Sequence, residues 1–241
     1  MRRIFATALM AFGIAGAAHA GDNQFKALEK GQGMVLIRLA EPHMTRAEFE
    51  KMVLDAPDIA PKYRNDPAKL KKLIDGRLCR DSLDEVTIHG GSFDPATGTS
   101  TRNAFTGRLD FTTVPDEATQ SCWLVGQVNT GPVALYALAI QMHWAVHYRH
   151  SVTFEVKPDS YNFIGTIDRR VGAQTIAKAV DAHEMPRETK GYEHITGDLE
   201  GFTSNSDVDG GQAAAADFLS RAWGHPVQVD APAVTPTEVA R

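Results

Sequence analysis

The sequence predicts a mainly β protein with α additions: an antiparallel β-sandwich core, a helical insertion after the first strand and a C-terminal helix. Three observations lead there. From about Glu85 to Gly165 the chain runs as short β-branched and aromatic stretches separated by turn residues, the texture of an antiparallel sheet rather than of βαβ units. Ahead of that region lie two stretches with helix-start signals, at about residues 44–80. Behind it, AAAADFLSRAWG ends at Gly224 and Pro226, as a short helix should.

Met34 to Leu39 reads MVLIRL behind Gly31 and Gly33, a short apolar run expected to be a buried strand. Thr45-Arg46-Ala47-Glu48 is a capping-box pattern, in which the Thr hydroxyl and the Glu carboxylate satisfy each other's backbone N–H groups. Asp66-Pro67 opens a second helix, AKLKKLID, with Gly76 as its stop. Val86 to His89 alternates, and Asp94 to Gly98 is turn chemistry. Phe105 to Phe111 and Cys122 to Val128 are further strand candidates. Val133 to Trp144 reads as one long strand with Tyr136, Leu138, Ile140, Met142 and Trp144 on one face at period two. Val152, Phe154 and Val156 alternate, Lys157 to Ser160 turns, and Tyr161 begins another strand. Residues 171–183 are Ala-rich and fit helix or strand, and the Pro/Ala/Thr-rich tail, 231–241, is expected to be disordered.

Met1 to Ala20 has Arg2 and Arg3, an apolar stretch and Ala18-His19-Ala20, the three parts of a signal peptide with cleavage before Gly21. The stretch is shorter than the about 20 apolar residues a membrane span needs. The expectation is therefore a soluble protein of the periplasm or the exterior, with one domain over 21–230 and no membrane span. Removing Arg2 and Arg3 leaves 23 basic against 30 acidic residues. An acidic chain of this kind does not suit a nucleic-acid partner, whose phosphates call for a basic face. Cys79 and Cys122 are the two cysteines. In an oxidising compartment an isolated pair is most simply a disulfide, the alternative being two buried thiols.

The segments Gly131-Pro132, Tyr136, Phe154-Glu155-Val156 and Tyr161 to Gly165 give the chain a likeness to a known family. Over about residues 105–168 it resembles transthyretin-like β-sandwich domains of small exported Gram-negative proteins. The resemblance implies a sandwich fold and carries almost no chemistry, since many such domains have no assigned activity. The order Gly-Pro departs from the family's Pro-Gly.

Three motifs suggest chemistry. VTIHGGSF, residues 86–93, has the His-Gly-Gly with which many α/β-hydrolases build an oxyanion hole. No G-x-S-x-G nucleophile elbow accompanies it anywhere in the chain, so Gly90-Gly91 is better read as a bulge or bend. In MHWAVHYRH, His143, His147 and His150 have spacings that on a helix would share one face and suit zinc, copper or nickel. On extended chain His150 points away from the other two. Asn205-x-Asp207-x-Asp209-Gly210 matches the start of a calcium loop, but Ala216 stands where the bidentate carboxylate belongs. A polar loop with Asp209 capping the next helix is the simpler account. Glu155 is expected on the outer face of its strand.

The reading is an exported β-sandwich protein with a non-catalytic binding or accessory role in the cell envelope, for which an envelope protein is the candidate partner. The alternatives are a periplasmic metal-binding protein using the histidines, then a hydrolase with no motif to name its substrate. No catalytic residue and no cofactor is predicted.

Overall fold

The computed structural model describes residues 28–41, 44–57, 60–75, 78–79, 86–101, 107–140, 144–182 and 193–240. In chain order they form β1 (Gln32–Leu39), α1 (Arg46–Asp55), α2 (Ala60–Tyr63), α3 (Pro67–Asp75), β2 (Val86–Asp94), β3 (Thr99–Ser100), β4 (Arg108–Asp116), β5 (Ser121–Asn129), β6 (Gly131–Ile140), β7 (Trp144–Tyr148), β8 (His150–Val156), β9 (Tyr161–Ile167), α4 (Arg169–Asp181), β10 (Glu193–Gly197), β11 (Phe202–Ser204), α5 (Gly211–Trp223) and β12 (Thr235–Glu238). The signal-peptide segment and His143 lie outside the described residues.

The strands form one mixed sheet with the order β10-β7-β6-β2-β4-β5-β1-β9-β11; β8 pairs with β6, and β12 with β8. The protein is thus mainly β with a few helices, as expected, and its sheet is mixed rather than purely antiparallel. The pairs β1/β9 and β10/β7 are parallel, although the pairings of β2, β4, β5, β6, β7 and β8 with one another are all antiparallel. β10 and β11 lie at opposite ends of this order yet are separated in sequence by residues 198–201 alone. So short a link spans at most about 18 Å, and nine strands laid flat would be about 38 Å wide. The sheet must therefore curl until its ends approach.

The concave side holds the main core. Val35 and Ile37 of β1, Ile88 of β2, Leu124 of β5, Leu135 and Leu138 of β6, Phe154 of β8 and Ile164 of β9 meet there, with Ile176 of α4 closing the gap. At the closest approach of β1 to β8, a Cβ on Gly33 would lie 2.3 Å from a methyl of Val156. Only glycine fits there. β1 is buried on both faces, as its unbroken apolar run implies: Met34 and Leu36 turn outward to a second core with Trp123, Phe163 and α5. Phe218 of α5 stacks on Trp123 at 5.1 Å, and burying Phe218 and Leu219 stabilises the docked helix by about 1.5–3 kcal/mol each.

The helical insertion has its own small core of Phe49, Val53, Leu70, Ile74 and Leu78. Both helix starts form as their sequences dictate. Thr45 and Glu48 make the reciprocal capping box, and Asp66 Oδ1 accepts from the Lys69 N–H at 2.9 Å.

Two further expectations are corrected. Val133 to Trp144 is not one strand, because β7 returns antiparallel to β6. Its single face fails earlier, at Tyr136. Gly90 pairs with Leu135 and His89 with Ala137, so Tyr136 is an extra residue in β6. This bulge lets Tyr136 and Ala137 both oppose His89 on the outer side. Leu135 and Leu138 then both face the core, where an unbroken period of two would separate them. The second correction is the tail. Thr235–Glu238 pairs with β8 from Thr153 to His150, because β8 would otherwise present an unpaired edge. Of the Ala-rich segment, residues 171–181 are helix, in α4.

Candidate functional site

β2 lies between β4 and β6, so the N–H groups of Gly90 and Gly91 point into ladders on either side. They do not form an oxyanion hole. A Cβ on Gly91 would sit 2.2 Å from the Thr101 carbonyl oxygen, so the pair of glycines serves close packing. The register shift falls between His89 and Gly90.

The same strands create an open polar strip on the outer face. α5 covers that face over β1, β5 and β9, and Val239, just after β12, packs against Ala134, Tyr136 and Ala137 of β6. Between them, Thr87 and His89 project from β2, and Arg108, Asp110 and Thr112 from β4, all on one face by period two. His89 is directly opposite Asp110, and Asp110 opposite Gln127. The His89 ring stacks on Tyr136, centroids 6.1 Å apart and planes 17° apart. Thr87 Oγ1 lies 3.2 Å from His89 Nε2. His89 Nδ1 is 3.8 Å from Asp110 Oδ1, beyond hydrogen-bond length. Arg108 instead engages that carboxylate through two donors, at 2.8 and 2.6 Å.

The hydroxyl, imidazole and carboxylate thus fall in the order of a proton relay, but the carboxylate is spent on Arg108. Burial holds the His89 pKa below its ordinary 6.5, and the attraction of Asp110 does not reverse this. At neutral pH the strip therefore carries a neutral imidazole beside a compensated ion pair. Protonating His89 costs the folded state more than the unfolded chain. Its contribution to stability is present above about pH 6.5 and is lost as the pH falls through the lowered value. Replacing His89 with Gln is expected to flatten the fall in melting temperature between about pH 7 and pH 5; an unchanged slope would refute this assignment.

The remaining candidates are not brought together. His147 lies opposite Ala137 and Thr196 on the outer face, while its neighbours Val146 and Tyr148 enter the core. His150 shares the parity of the core residues Phe154 and Val156 but stands exposed at the sheet's end, with Nδ1 2.8 Å from Asp198. The two imidazoles are on opposite faces. Asn205 sits in a 3-10 turn, Asn205–Asp207. Its amide donates to the carbonyls of Phe163 at 2.9 Å and Pro232 at 2.7 Å, tying the loop to β9. Asp209 does not cap α5, whose N-cap is Gly210 in the left-handed region without a side-chain bond. Among the described residues no three His, Cys, Asp or Glu side chains converge as a metal site. Glu155 is exposed.

Sequence reasoning missed two ionic clamps. Glu41 and Arg169, each at most 4 % exposed, pair at 2.5 Å. Arg169 also donates to the carbonyls of Val86 at 3.2 Å and Cys79 at 3.3 Å. Arg46 of α1 binds Asp75 of α3 and Glu117 beyond β4; its bond to Glu117 is the largest of the effects that raise its pKa further. Cys79 and Cys122 form a disulfide with Cα atoms 5.7 Å apart, joining the insertion to β5. Only the signal at Cys79 and Cys122 was readable in one dimension; the ion-pair partners carry no local motif.

No family model matches the chain, and neither a curated protein nor a solved structure matches it. Among the described residues no helix is long and apolar enough to cross a membrane.

Proposed function

We propose that this is an exported envelope protein that works by binding a protein partner, not by catalysis, through the polar strip of β2 and β4. One observation carries the reading. Thr87, His89, Arg108, Asp110 and Thr112 stand on interior strands of a curled sheet; His89 and Asp110 are paired with a neighbouring strand on both sides and Thr87, Arg108 and Thr112 on one, which fixes their positions. Such a strip offers donors, acceptors and both charges on a pre-organised surface, which suits a specific polar interface. The disulfide agrees with an oxidising compartment. Signal-peptide cleavage before Gly21 and a periplasmic or secreted location belong to the same proposal. So does the transthyretin-like likeness over about residues 105–168, which rests on Gly131-Pro132, Tyr136, Phe154-Glu155-Val156 and Tyr161 to Gly165.

A photocrosslinking residue placed at Thr112 in the producing cell tests the reading. The expected result is one adduct of defined mass, lost when Arg108→Glu is added and absent when the crosslinker sits at Lys157 on the far turn. No adduct at Thr112, or the same adduct at Lys157, would overturn it.

A further inference from the structure

The segment after Pro232 is held to the sheet by a short strand with few side-chain contacts across the pairing. Up to Pro232 the chain is anchored: Asp230 donates to and accepts from β9, and Asn205 binds the Pro232 carbonyl. Beyond it, β12 holds β8 through four residue pairs, one of them Pro236 opposite Val152. Proline brings no N–H to that ladder. The side-chain contacts across it are slight: Thr153 Oγ1 donates to the Thr235 carbonyl at 3.4 Å, and Arg149 faces Glu238 at 3.8 Å with both exposed. Most of residues 231–238 are half-buried or exposed. The one well-buried side chain is Val239, 7 % exposed, in a socket of Ala134, Tyr136, Ala137 and Phe93.

This strand also completes a small ring of strands. β2 pairs with β6, β6 with β8 and β8 with β12. Ala240 then bridges Thr99 of β3 and donates to the Gly98 carbonyl at 2.7 Å, and β3 returns to β2. Removing one weakly held strand thus opens a complete acceptor: the backbone edge of β8 and an apolar socket at a fixed distance along it. Backbone edges take extended chain by strand addition, and alternate side-chain sockets give it specificity. The segment shown to fit both is this chain's own.

We propose that the β8 edge and the Val239 socket form a strand-acceptor site that exchanges its occupant, taking residues 233–240 of a second copy of this chain. Residues 235–240 fill the site, which leaves Ala233 and Val234 as the link from an anchored Pro232, about 10 Å of chain, so the neighbouring β8 edge must lie within that reach. The site borders the β2/β4 strip through Tyr136, which stacks on His89, but does not depend on the function proposed for that strip.

The test uses the full chain and a fluorescent synthetic peptide of residues 231–240. Saturable uptake is expected, at least tenfold weaker for a peptide carrying Val239→Asp. In the oxidised Thr153→Cys/Thr235→Cys protein, which pins β12 in place, uptake should fall at least tenfold. The Val239→Asp protein, whose own strand is loosened, should take up the natural peptide at least threefold more tightly. Concentrated wild-type protein should form a dimer that the pinned variant does not. No uptake by the wild type, or equal uptake of both peptides, would overturn the site. Uptake without a dimer at any attainable concentration would overturn the second copy as occupant.

Discussion

Replacing Cys79 and Cys122 together with Ser is expected to cost about 4 kcal/mol, the loop-entropy value for cysteines 43 residues apart. For a domain of this size that lowers the melting temperature by roughly 8–16 °C. The loss should be regional as well as global. The bond joins the helical insertion to β5, and the insertion's own core is only Phe49, Val53, Leu70, Ile74 and Leu78 with a few partners. Without the bond, limited proteolysis should cut first between residues 44 and 78 while the curled sheet stays intact. A drop of less than about 3 °C would mean that the unfolded chain is barely restricted by the crosslink.

The second large effect lies beneath the disulfide. Glu41→Gln leaves the Arg169 guanidinium buried, donating to Val86 and Cys79 but with no opposite charge. Breaking a buried pair from one side costs about 3–5 kcal/mol. Urea unfolding should show that loss for Glu41→Gln and a similar one for Arg169→Met. The double replacement Glu41→Met/Arg169→Met removes both charges and should be less destabilised than either single variant, although two carbonyls lose a donor at about 1–2 kcal/mol. If the two single losses simply add in the double variant, the pair is not energetically coupled.

The insertion is legible because its signals are local. A capping box needs Thr45 and Glu48 only, and the Asp66 cap only the N–H three residues on. The turn before β9 is similar: Asp159 takes a positive φ of 53° and Ser160 Oγ donates to the Lys157 carbonyl. The polar strip was half legible. VTIHGGSF singled out His89, but its partners Asp110 and Tyr136 come from strands whose register no local pattern specifies. The extra residue at Tyr136 is equally silent, since one inserted residue inverts every facing that period two assigns beyond it.

By itself, then, the sequence determined where α1 and α3 start, that the chain turns at Asp94–Gly98 and Lys157–Ser160, that β1 is buried, and which two cysteines were available to pair. These depend on interactions a few residues apart or on composition. The tertiary structure alone decided that the sheet curls, that its end strands β10 and β11 approach each other, that Glu41 meets Arg169 across 128 residues, and that the tail becomes a strand. Such pairings are set by which distant surfaces can be buried together and which backbone edges remain to be satisfied, and neither is a property of any short stretch of chain.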